Sequence, residues 1–177
     1  NLAVSLARMS TNTLLVDADL GLGNIALLLG ASPEDTIENL LAGECTVEEA
    51  CLSGPEGLTI LPAASDRMRD FGAPLDLANL SRLTELERSS EIVIVDTGAG
   101  IPSTTVDLAS AADQTVLVVT PEPTAIADAY ATLKLLLGVN PNLQAKLLVN
   151  MVENADEANG LHERFQELVQ RFLGAEI

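Results

Sequence analysis

Five short runs of continuously apolar, largely β-branched residues recur along the chain, and each meets an abrupt stop. Thr13-Leu14-Leu15-Val16 ends at Asp17, Leu58-Thr59-Ile60-Leu61 at Pro62, and Ile92-Val93-Ile94-Val95 at Asp96. Thr115-Val116-Leu117-Val118-Val119 ends at Thr120-Pro121, and Leu147-Leu148-Val149 at Asn150. A strand with one wet face alternates apolar and polar residues, whereas a strand covered on both faces need not. These runs do not alternate. They predict buried strands of a mostly parallel sheet.

Between the runs the spacing turns helical. Leu2, Ala3, Val4, Leu6 and Ala7 read as a helix at the very start. Ser32-Pro33-Glu34-Asp35 has the form of an N-cap, a first-turn Pro and acids at the positive helix end, so a helix is expected to about Leu41, stopping at Gly43. Thr46-Val47-Glu48-Glu49 is a capping-box pattern. Further helices are expected over 75–88, 124–137 and 158–173, and a loop over 62–74. Strands alternating with helices predict an α/β fold, a doubly wound, mostly parallel sheet flanked by helices. The length of 177 residues suits a single domain. A chain that opens with Asn1 inside a helix pattern is expected to be part of a longer protein.

Composition narrows the function. Nine Lys and Arg against 26 Asp and Glu leave a net charge of −17, which repels phosphate backbones and argues against direct nucleic-acid binding. Aromatics are 2% of the chain, so its core must be built from Leu, Val, Ile and Ala. Cys45 and Cys51 are too few and too far apart for a disulfide framework or a CxxC clip, and suit a reducing cytoplasm. Both read as small core residues, and His162, the only His, as a solvated helix position.

In doubly wound sheets ligands bind at the carboxyl ends of the strands. The residues there are Asp17-Ala18-Asp19, Asp96-Thr97-Gly98-Ala99-Gly100, Thr120-Pro121-Glu122-Pro123 and Asn150. One Asp after a strand is an ordinary cap or turn residue. Several on one edge repel each other, and call for a cation or charged ligand. Gly21 and Gly23 do not complete a GxGxxG fingerprint, while Gly98 and Gly100 leave room for a phosphate to approach the backbone. The sequence contains no GxxxxGK[ST], and its two lysines, Lys134 and Lys146, follow no Gly-rich loop. A cradle for β- and γ-phosphates is therefore missing from these residues.

Taken in order, LLVDADLGLGNIALLLG, IVIVDTGAG, VVTPEPTAIADAY and LLVNMV resemble the MinD/ParA family of deviant Walker A ATPases, and within it the branch that limits flagellar number and placement. The resemblance spans nearly the whole chain. It implies a P-loop NTPase-like fold whose first strand and KGGVGKT-type loop come just before Asn1, and further residues beyond Ile177. It implies an ATPase in the intact protein, with ATP and Mg²⁺ as cofactors. ATP binding would drive a homodimer, contacts with the flagellar or positioning machinery, and peripheral membrane association through a segment outside this chain.

Carried over by residue, Asp19 resembles the group that orients the attacking water. Asp17 would support Mg²⁺ and its waters, and Asp96 would hold Mg²⁺ through water. Gly98 and Gly100 would form a γ-phosphate switch. Asn150 would read the adenine edge with its donor and acceptor. Glu122 would face the nucleotide or a partner subunit. Alternatives are a MinD- or ParA-type positioning ATPase and a non-enzymatic interaction domain. A phospho-acceptor receiver, suggested by VDAD, needs a Lys at a late strand end, where Asn150 stands.

Overall fold

The computed structural model describes residues 1–20, 22–65, 88, 90–98, 100 and 102–177. The helix expected over 75–88, Arg88 apart, and most of the loop expected over 62–74 lie outside the described residues. The chain divides into two compact units, Asn1–Ala99 and Gly100–Ile177.

The first unit begins with α1 (Leu2–Arg8), β1 (Thr13–Ala18), α2 (Ile25–Leu28), α3 (Ile37–Ala42) and α4 (Val47–Ala50). Then come β2 (Leu52–Ser53), β3 (Thr59–Leu61) and β4 (Ile92–Thr97). The strands form one sheet in the order β2-β3-β1-β4. β1 runs parallel to both β3 and β4, while β2 is a two-residue antiparallel edge. Leu14 and Val16 of β1 pack with Ile37, Leu40, Ala50 and Leu61. Leu15 packs with Ala3, Ala7, Ile25, Leu58 and Ile60. Successive strand residues face opposite sides. β1 is therefore covered on both faces, which is why its sequence does not alternate.

α3 starts later than the Ser32-Pro33 signal suggests. The Thr36 N–H and hydroxyl both donate to Asn39 Oδ1, at 3.2 and 3.0 Å, and the Ile37 N–H donates to the Pro62 carbonyl at 2.8 Å. The first turn is thus tied to the end of β3, and Ser32–Asp35 stay outside the helix. Gly43 closes α3 with φ 77°, a left-handed conformation that glycine adopts without side-chain strain. α4 has the expected box: Thr46 N–H donates to Glu49 Oε2 at 2.8 Å, and Glu49 N–H to Thr46 Oγ1 at 3.3 Å.

The second unit holds α5 (Ser103–Ala111), β5 (Thr115–Val119), α6 (Pro123–Val139), β6 (Ala145–Val149) and α7 (Ala155–Leu173). β5 and β6 pair in parallel, from Thr115 beside Ala145 to Val119 beside Val149. Leu117 and Val119 pack under Leu133 and Leu136 of α6 and Leu161, Phe165 and Val169 of α7. Both long helices therefore cover one face. Val116, Val118 and Leu148 lie on the alternate face, which the helices of this unit leave exposed. α7 starts earlier than its apolar pattern, because the Asn154 side chain accepts from the Glu157 N–H at 2.9 Å. Among the described residues, no helix is long and apolar enough to cross a membrane.

Candidate functional site

Because β1 and β4 are parallel, their carboxyl ends share one edge. Asp17 is the register partner of Asp96, and Ala18 of Thr97. Side chains of register partners point to the same face of a sheet, so two carboxylates stand side by side where both strands end.

Asp17 is only 3% exposed. Its Oδ1 accepts from the Asp19 N–H at 3.2 Å, and its Oδ2 from the N–H groups of Asn24 at 3.1 Å and Ile25 at 3.2 Å. The last two lie at the start of α2, where backbone donors lack helical partners. Asp17 thus folds the loop after β1 back onto the strand end. Expected to support Mg²⁺ and its waters, it already spends three of about four acceptor positions on backbone amides.

Asp19 sits against Gly98. A Cβ added at Gly98 would lie 2.6 Å from Asp19 Oδ1 and 3.0 Å from its Cγ. The Asp19 carboxylate fills the space where a side chain at position 98 would go, and that close approach is why glycine suits this position. Asp96 is exposed at the edge. Its carboxyl is held above the ordinary value first by desolvation and then by the charges of Asp17 and Asp19, with the Asn1 α-amino group acting in the opposite direction. Asp96 therefore lies within the field of both other carboxylates. Among the described residues no three His, Cys, Asp or Glu side chains converge closely enough to ligate one metal ion directly. This donor set fits a magnesium that keeps its waters, the usual habit of that ion, rather than an all-protein cage.

Two residues not singled out as functional in the sequence brace this edge. The Gly23 N–H donates to the Ala64 carbonyl at 3.0 Å, and a Cβ at Gly23 would lie 2.5 Å from the Ala63 carbonyl oxygen. Glu38, buried on α3, accepts the Ala64 N–H on both carboxylate oxygens, at 3.2 and 3.0 Å. A lone acid beside Ile37, Leu40 and Leu41 was the available signal, since a buried carboxylate must find donors.

The other expected residues belong to the second unit. Glu122, just before α6, accepts from the Thr120 hydroxyl at 2.8 Å. The Asn150 N–H donates to the Val119 carbonyl at 2.8 Å, which places Asn150 at the carboxyl end of the β5–β6 pair with its side chain exposed. Gly100 has φ 92°. Gly21 and Ala99 lie outside the described residues. Cys45 and Cys51 are half-buried against the Leu14–Leu61 cluster. Burial, then neighbouring acids, pushes both thiols up, which opposes the thiolate form a nucleophile needs. His162 is half-buried on α7 rather than fully solvated.

No family model matches the chain. Antiactivator FleN of Pseudomonas aeruginosa is 36% identical over 175 residues, covering 98% of this chain and 62% of FleN. Flagellum site-determining protein YlxH of Helicobacter pylori is 32% identical over 177 residues, covering 99% of this chain and 60% of YlxH. The chain thus spans about 60% of the length of these curated relatives. Among solved structures, the septum site-determining protein MinD of Pyrococcus horikoshii, complexed with Mg-ADP, superimposes with a TM-score of 0.71 at 21% identity, over 92% of this chain and 68% of that one. That likeness concerns the fold. The ordered motifs, the parallel sheet with its acidic edge and the identity to FleN and YlxH agree: the chain belongs to the MinD/ParA family of ATPases.

Proposed function

We propose that the intact protein is an ATP-driven switch of the FleN type, controlling flagellar number or placement, and that this chain supplies the acidic edge of its nucleotide site. The observation that carries the reading is the register pairing of Asp17 with Asp96, with Asp19 close enough to act on Asp96. Magnesium with ATP, when bound, neutralises charge on the transferring phosphoryl group. Asp96 is the exposed carboxylate of the edge and would hold the hydrated cation through water. Asp17 holds the strand end and lends its charge beside Asp96. Asp19 orients the water that attacks. Gly98 and Gly100 flank the connection that responds to the terminal phosphate. Asn150 offers a donor and an acceptor to the adenine edge, and Glu122 faces the nucleotide or a second subunit. In this reading the ATP state is a homodimer that engages cytoplasmic partners and the membrane surface, and hydrolysis releases it.

A second reading has one observation in its favour: the 177 residues contain no GxxxxGK[ST]. By that reading the chain is an α/β interaction domain that binds proteins and no nucleotide. Calorimetric titration separates the two. ATP with magnesium is titrated into the chain joined behind a strand and a KGGVGKT-type loop. The switch reading expects micromolar affinity whose magnesium dependence is lost in Asp96→Asn. Absence of heat from the joined chain, or magnesium dependence untouched by Asp96→Asn, would remove it.

A further inference from the structure

Glu38 is a carboxylate inside an apolar core. It is 2% exposed on α3, whose Ile37 and Leu40 are buried with Leu14, Val16 and Leu61. A buried charge is costly unless donors meet it, and a leucine there would carry no such cost. What the acid adds is direction. Both its oxygens accept the Ala64 N–H, at 3.2 and 3.0 Å. The Pro62 carbonyl accepts the Ile37 N–H at 2.8 Å, so the first turn of α3 grips the residues after β3 at two points.

The grip reaches past Ala64. β3 is parallel to β1, so the two strands end on a common edge. The Ala64 carbonyl accepts the Gly23 N–H at 3.0 Å, and Gly23 lies too close to the Ala63 peptide for any Cβ to fit between them. The Leu22 N–H donates to the Asp19 carbonyl at 2.9 Å, which ties Asp19 to the residue before the pinned Gly23. Asp17 holds this loop from the β1 side, at Asp19 and again at Asn24 and Ile25. Glu38 holds it from the β3 side, through Ala64. Because the Asp17 bonds persist without Glu38, losing Glu38 shifts the loop rather than releasing it.

We propose that Glu38 is a positioning residue for ATP hydrolysis, setting from within the core the place of the loop that carries Asp19. The inference rests on the switch reading above. It assigns Glu38 an effect on turnover and none on ATP affinity, since a misplacement of about 1 Å far from the chemistry can cost about a hundredfold in rate.

The test measures ATP turnover by the chain joined behind a strand and a KGGVGKT-type loop. Glu38→Leu removes both acceptor oxygens and keeps the space filled. Glu38→Gln keeps one carbonyl oxygen for the Ala64 N–H. Gly23→Ala strikes the same contact from the other side and leaves the core alone. The expected result for Glu38→Leu is a kcat at least about tenfold lower with KM for ATP unchanged, largely recovered in Glu38→Gln. Gly23→Ala should also lower kcat, and the double variant should be no slower than the slower single, because both break one contact. Hydrogen exchange at the Gly23 amide should be at least about tenfold faster in Glu38→Leu, with the β1 amides as protected as in the parent. If Glu38→Leu loses β1 protection, the cycle is run with Glu38→Gln, whose smaller loss should vanish in the Gly23→Ala background. An unchanged kcat in either single variant, losses that multiply in the double variant, or unchanged Gly23 exchange would overturn the proposal. A parent without turnover would instead sink the switch reading itself, and the proposal with it.

Discussion

Replacing Asp17 by Ala tests whether one buried carboxylate holds the end of β1. Three backbone N–H groups donate to it, from Asp19, Asn24 and Ile25, at 3.1 to 3.2 Å. Hydrogen bonds to a charged group contribute about 1.5–3 kcal/mol each, and these lengths favour the lower figure, so the set is worth about 4–5 kcal/mol. Removing the charge also relieves its repulsion with Asp96, which offsets part of the loss. A net cost of about 3 kcal/mol follows. Asp17→Asn keeps one carbonyl oxygen for Asn24 and Ile25 but turns an amino group toward the Asp19 N–H, and should cost about half as much. Urea unfolding gives the energies, and hydrogen exchange at the Asn24 and Ile25 amides gives the cause. A cost for Asp17→Ala below about 1 kcal/mol, with both amides still protected, would refute the reasoning.

Asp96 gives a pH signature. Its folded carboxyl binds its proton more tightly than an ordinary Asp, so stability falls as pH rises through the carboxylate range and the group ionises. Asp96→Asn should therefore be more stable than the parent at neutral pH, with the gain vanishing in acid below the ordinary Asp value, as read from urea midpoints; a gain of equal size at both would contradict the linkage. Gly98→Ala pushes a methyl to 2.6 Å from Asp19 Oδ1, and because the far end of a side chain can give way, it should displace that carboxylate while costing less than about 1 kcal/mol. The Asp19 side-chain carbonyl shift in NMR should move, and an unmoved signal would show that the two groups do not touch. Thr46→Ala removes the acceptor of the Glu49 N–H and should cost about 1 kcal/mol in urea unfolding, with Thr46→Ser recovering most of it.

Much of the first unit was legible because local and tertiary signals agree there. β1 is wedged between β3 and β4 with helices on both faces, so its sequence is continuously apolar, and Asp17 marks its end. The meeting of Asp17 and Asp96 followed from parallel strands ending on a common edge. The work Asp17 does was not legible, since it depends on a loop that returns seven residues later to present Asn24. The start of α3 was misplaced for a similar reason. Ser32-Pro33 is a good local signal, but the Pro62 carbonyl takes the Ile37 N–H and fixes the first turn further on. α2 escaped notice because four residues are too few for a helical period to show.

The central claim is that this acidic edge serves phosphoryl transfer, and Asp19 is the residue on which it turns. The direct measurement is ATP turnover by the chain joined behind a strand and KGGVGKT-type loop, comparing Asp19 with Asp19→Ala at matched nucleotide occupancy. The account predicts that the variant binds ATP with magnesium as tightly as the parent and turns it over at least about a hundredfold more slowly. Equal rates would contradict it.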